Sequence, residues 1–193
     1  MVLKIPSDDS YDQSSFNYNL SRFAKKNGID ISSTVGEGNA FELFVATVLM
    51  LNGYKIDRIV GGSGDQGGDI IAHKGSNRTK TESVPFTFGM VSETKRTSKL
   101  VKYCIQCKFH FSGNEGNRAI KDANLGKTKY KCNEGVAVSS TSFTPGGYEA
   151  AELMKISTIN GSQLTYLIAK ASKKQDPWTY KWTSDDLRKV GFN

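Results

Sequence analysis

The sequence predicts an α/β protein, a mixed β-sheet flanked by helices. Apolar residues recur at i, i+3, i+4 and i+7 over residues 38–52, the stripe of a buried helix. They recur at period two over residues 99–111, the mark of a strand with one apolar face. Helix-like and strand-like segments then alternate along the chain, as they do when helices cover a sheet. With 193 residues, 37 % hydrophobic and a mean hydropathy of −0.44, the chain suffices for one such domain with decorations.

Residues 1–35 are rich in Ser, Asn and Asp and read as an N-terminal extension. They hold one short helix, Phe16–Lys26, stopped by Asn27-Gly28. Gly38–Asn52 follows as the clearest helix, with Phe41, Phe44, Val45, Val48 and Leu49 on its stripe and Asn52-Gly53 as its stop. Tyr54–Val60 reads as a strand, 61–68 as a glycine-dense turn, and Asp69–His73 as a second strand. Residues 75–98 are polar and form an insertion, either loop or hairpin. In Lys99–Phe111, Val101, Tyr103, Ile105, Cys107, Phe109 and Phe111 make the apolar face. Lys102, Cys104, Gln106, Lys108 and His110 line the other. A basic helix over Asn114–Lys129, a buried strand Gly135–Ser140 and a helix opened by Pro145 and running to Ile156 come next. Gln163–Ala169 is expected as the last strand. The tail, 170–193, is basic, and its Trp178, Tyr180 and Trp182 are expected to pack on the core as an edge strand rather than to stack on bases.

The charge is unevenly placed. The chain carries a formal +7, with pI near 9.2, but residues 36–73 hold two basic against five acidic side chains. Residues 74–131 hold thirteen basic against four acidic. Carboxylates that hold a cation, followed by a basic stretch that neutralises phosphates, suit work on a polyanion; a solvated basic surface is the plainer reading. No run approaches the roughly 18–20 unbroken apolar residues of a bilayer span. Three cysteines, an odd number, argue against a disulfide scaffold. With no secretory h-region near the start, an intracellular setting is expected, compartment open.

Three features carry chemistry. Glu42 sits among apolar helix neighbours, where a carboxylate is costly unless it is paired or bound to metal; a half-exposed helix position is the alternative. Asp69 follows the glycine turn and opens a strand, with Asp65 as its rival and simple turn-capping as the bland reading. Gln106 and Lys108, two apart, project from one strand face. Cys104, Cys107, His110 and Cys132 mimic a zinc set, but on a strand Cys107 faces away from Cys104 and His110, so zinc is not expected.

The runs GNAFELFVATVLMLNG (38–53), GGSGDQGGDIIA (61–72) and IQCKF (105–109), with VAVSSTSFTPGGYEAAEL (136–153) after them, resemble the Mrr-like branch of the PD-(D/E)XK nucleases. In that branch Gln replaces the usual second acidic residue, giving Asp…Gln-x-Lys. The resemblance covers about 36–168, within a nuclease domain expected over 36–169. It implies a restriction-endonuclease-like core, a DNA endonuclease activity and a divalent cation, Mg²⁺ with Mn²⁺ as substitute.

On this reading Asp69, Gln106 and Glu42 hold the cation, whose hard preference is for oxygen ligands. Lys108 positions or helps to deprotonate a water and offsets transition-state charge. Arg118, Lys121, Lys127, Lys129 and Lys131, with Lys95 and Arg96 of the insertion, contact DNA. A non-catalytic DNA-binding module and an assembly protein for an acidic partner are the rivals. DNA is the expected partner, no membrane is expected, and a homodimer is open.

Overall fold

The computed structural model describes residues 5–60, 67–86 and 89–192, with 76–98 described by backbone alone. Five strands form one sheet in the order β1-β2-β3-β4-β5: Lys55–Ile59, Ile70–Phe86, Gly89–Lys108, Glu134–Ser139 and Ser157–Ile159. The first three are antiparallel neighbours, and β4 and β5 add in parallel. The change of sense follows from the connections. A parallel neighbour needs a crossover, and helices α3 (Arg118–Lys129) and α4 (Pro145–Met154) supply the two. The insertion between the second and third strands is a hairpin, paired from Ile70↔Ile105 out to Phe86↔Gly89.

Helix α1 (Gln13–Lys26) starts where Asp12 accepts from the Ser15 N–H, and α2 (Thr34–Leu51) where Ser33 accepts from Gly36. Helix α2 is apolar nearly all round because, Glu42 apart, its residues 40–49 are buried whichever way they face. Strand residues Tyr103, Ile105, Cys107, Val136, Val138 and Ile159 lie beneath it, with α1 and α5 (Gly161–Ser172) alongside. By length and composition alone α2 would also suit a bilayer; in this fold it is the central core helix. On the sheet's other face a smaller core joins α3 and α4 through Ala119, Ile120, Ala123, Ala137, Phe143 and Ile156. This second layer explains why Cys104 and Gln106, on the strand's polar row, are buried at 0 % and 4 % exposure.

Three expectations are corrected. Gln163–Ala169 lies within helix α5, not a strand. Asn160 and Gln163 form a reciprocal capping box, and Leu164, Leu167, Ile168 and Ala171 are buried at helical spacing. The last strand is the three-residue Ser157–Ile159 just before it. Phe111, expected on the apolar face, is 58 % exposed, since β3 ends at Lys108.

The tail is not an edge strand. It forms a 3₁₀ turn (Pro177–Thr179) and a short helix α6 (Ser184–Lys189). Its aromatics do pack: Trp178 stacks on Phe44 at 3.9 Å, and Trp182 is buried with Nε1 donating to Thr47 Oγ1 at 2.8 Å. The N-terminal extension and the tail therefore share the core of the central segment.

Candidate active site

The site forms where α2 meets the neighbouring ends of β2 and β3. Asp69 is fastened by its backbone, its N–H donating to Ile105 O at 2.8 Å and its carbonyl accepting from Val60 N–H at 2.6 Å. Its side chain is fastened too. Oδ2 accepts from Cys107 N–H at 2.6 Å and from Gln106 Nε2 at 2.5 Å. Gln106 Oε1 in turn accepts from Gly68 N–H at 3.0 Å. The chain can run this close because Gly68 has no side chain: at φ +92° a Cβ would fall 2.4 Å from Cys104 Sγ. Gln106 thus orients Asp69, and the second lone pair of its oxygen remains for another partner.

Lys108, one pleat further, places Nζ 3.4 Å from Asp122 Oδ2 on α3, with Arg118 Nε at 4.0 Å from the same oxygen. Glu42 comes across from α2. Its Oε2 is buried and has no hydrogen-bond partner among the described residues. Burial, then the nearby Asp69 charge, pushes the Glu42 carboxyl up to about 8, against the pull of Lys108. Burial likewise raises Asp69 to about 6; Asp122 adds to the rise, while Cys107 N–H, Lys108 and Gln106 oppose it. A cleft of about 390 Å³ opens here, lined by Glu42, Asp69, Gln106, Lys108, His110 and Phe111 among others.

Two half-buried carboxylates that destabilise each other's charge, one with a buried, orphaned oxygen, are a pair that a cation would satisfy. The oxygen donors fit a hard divalent ion. Among the described residues no three His, Cys, Asp or Glu side chains gather as a metal cluster, so Gln106 and backbone carbonyls would have to complete any such shell. The three cysteines do not gather as one set either. Cys107 belongs to the core under α2, and Cys104 to a pocket with Val60, Ile71 and Cys132 on the other face.

The sequence-predicted residues Glu42, Asp69, Gln106 and Lys108 therefore meet in one cleft. Arg118, Lys121 and Lys129 are exposed on α3 and Lys131 just beyond it, while Lys127 is half-buried. Asp65, and the side chains of Lys95 and Arg96, lie outside the described residues. Sequence reasoning missed Asp122, whose one signal was an acid four residues after Arg118 in a basic helix. His73 is paired with Asp57 at 2.8 Å on the β1–β2 edge, whereas His110 lines the cleft.

A mixed sheet that delivers an aspartate and a Gln-x-Lys pair to one end, under a helix glutamate, defines a restriction-endonuclease-like core. The sequence profile of a restriction endonuclease family (Mrr_cat) matches residues 33–168, and the chain belongs to that family. No curated protein matches the chain. Among solved structures it is similar to the DNA modification-dependent restriction endonuclease AspBHI, at 12 % identity and TM-score 0.47 over 89 % of this chain. It is similar also to MspJI restriction endonuclease in complex with a 27-mer oligonucleotide, at 16 % identity and TM-score 0.48 over 98 % of this chain. The chain spans 39 % and 43 % of the length of those two solved chains. Membership of the family stands on the sequence match.

Proposed function

We propose that the chain is a divalent-cation-dependent endodeoxyribonuclease that hydrolyses DNA phosphodiester bonds, with Glu42, Asp69, Gln106 and Lys108 as its working residues. The observation that carries this is the orphaned, buried Glu42 Oε2 beside Asp69. An apolar or amide side chain would pack there at less cost, so the carboxylate makes sense as one half of a cation seat.

Glu42 and Asp69 would hold the ion, Mg²⁺ or in its place Mn²⁺, with the free lone pair of Gln106 Oε1 as a further donor. When bound, such a cation polarises the scissile phosphate and acidifies a water. Gln106 and Cys107 N–H keep the Asp69 carboxylate in one orientation, so little reorganisation is needed as substrate arrives. Lys108, as an ammonium, offers charge to the phosphoryl oxygens as negative charge grows on them. The exposed Arg118 and Lys121 on α3, beside the Lys108–Asp122 pair, would neutralise flanking phosphates.

The test is cleavage of linear, supercoiled, methylated and four-way-junction DNA in Mg²⁺ and in Mn²⁺, with chelator as control. Cation-dependent cleavage that Asp69→Asn and Lys108→Ala each abolish supports the reading. Binding to DNA without cleavage in any of these conditions would instead make the chain a DNA-binding module on a nuclease core.

A further inference from the structure

The cleft holds a second pair that this reading does not use. His110 Nε2 lies 2.6 Å from Glu115 Oε2. Glu115 is a buried carboxylate, 6 % exposed, and its other oxygen accepts from Ala119 N–H at 3.2 Å in the first turn of α3. Such a carboxylate is an acceptor only, so Nε2 carries a proton, and in the neutral ring that leaves the lone pair on Nδ1. The ring's backbone is held as firmly. His110 N–H donates to Ser140 Oγ at 2.8 Å, and its carbonyl accepts from Ser140 Oγ at 3.0 Å and from Gln13 Nε2 at 3.1 Å. His110 lies two residues beyond Lys108, just past the end of β3, and both line the cleft.

Hydrolysis needs something to take the proton of the attacking water, and the other cleft residues are poorly placed to do so. Lys108, ion-paired with Asp122, has no lone pair as an ammonium. Asp69 Oδ2 already accepts two N–H groups. Glu42 and Asp69 together are the cation's seat. A held imidazole with its tautomer set by a buried carboxylate is the arrangement that general-base catalysis uses.

We infer that His110, oriented by Glu115, is the proton acceptor for the attacking water. The inference rests on the nuclease reading. In the step, a water lone pair forms the new P–O bond and the water proton passes to His110 Nδ1. The scissile P–O bond breaks with its electron pair on the leaving ester oxygen, which takes a proton from solvent. His110 then returns its proton to solvent. Glu115 is a positioning residue, acting only through the ring.

The test compares wild type with His110→Gln, His110→Ala and Glu115→Gln by single-turnover cleavage in Mg²⁺ and by DNA affinity in chelator, with melting curves for each. His110→Gln keeps a donor for Glu115, so the fold is retained while the base is lost. The expected loss of single-turnover rate is about 10²- to 10⁴-fold, with affinity held within about twofold, as for a group whose role is confined to the transition state. Added imidazole should restore part of the rate to His110→Ala and none to Lys108→Ala. Full-rate cleavage by His110→Gln, or a rate loss matched by affinity loss without imidazole rescue, overturns the assignment and leaves the nuclease reading intact. A wild type that cleaves nothing overturns both.

Discussion

Glu42→Gln should make the cation-free protein more stable, and the gain should depend on pH. In the folded chain Glu42 is raised from an ordinary 4.5 to about 8, chiefly by burial. Below 4.5 both folded and unfolded forms hold the proton and the carboxyl costs nothing. Between 4.5 and about 8 the unfolded chain releases it while the folded chain keeps it, so stability falls as pH rises. At roughly 1.4 kcal/mol per pH unit, the cost near pH 7 is about 2–3 kcal/mol once coupling to Asp69 is allowed for. Gln is isosteric and neutral, and its amide can donate towards Asp69. For a domain of this size the substitution should raise the melting temperature by about 4–8 °C at pH 7–8, and by little at pH 5. Mg²⁺ should reverse the order, because only the wild type gains from binding a cation to both carboxylates. The assay is thermal unfolding at pH 5 and pH 8, with chelator and with Mg²⁺. A Glu42→Gln protein that melts at or below wild type at pH 8 in chelator refutes the account of this carboxylate as destabilised and awaiting an ion.

Other consequences follow from particular contacts. In Gly126→Ala the new methyl would sit 2.6 Å from the Gly67 carbonyl group and 2.7 Å from Cys104 Sγ. Despite alanine's helix preference, that should cost about 1–3 kcal/mol and depress cleavage more than stability, since Gly67 leads into the Gly68 N–H that holds Gln106. Trp182→Phe removes the 2.8 Å bond to Thr47 Oγ1, for a loss of about 1 kcal/mol read as a lower unfolding midpoint in urea. Arg118→Ala, on an exposed side chain of α3, should weaken DNA binding at every sequence tested and reduce the slope of log affinity against log salt by about 1.

Much of the frame was legible in residue order. Phe41, Phe44, Val45 and Val48 announced a buried helix, and Val101 to Cys107 a strand, because periodicity reports which face meets the core. Residues 163–169 misled because short apolar runs suit either element, and what decided between them was the Asn160–Gln163 capping box. The pairing of β4 and β5 in parallel was not legible, since it depends on where α3 and α4 lie.

Of the candidate site, the sequence by itself determined which chemistry was present: a helix carboxylate, an aspartate after glycines, and a Gln-x-Lys row ahead of a basic helix. Those are local facts of residue type and spacing. Only the tertiary structure decided how they are used. It turned Gln106 into the clamp of Asp69 through the Gly68 N–H, buried Glu42 Oε2 without a partner, and brought Asp122 to Lys108 and Glu115 to His110. Such roles arise from desolvation and from hydrogen bonds between residues up to 38 positions apart. Neither can be read from spacing along one chain, because both depend on what the fold places beside each group and on how far it shuts out water.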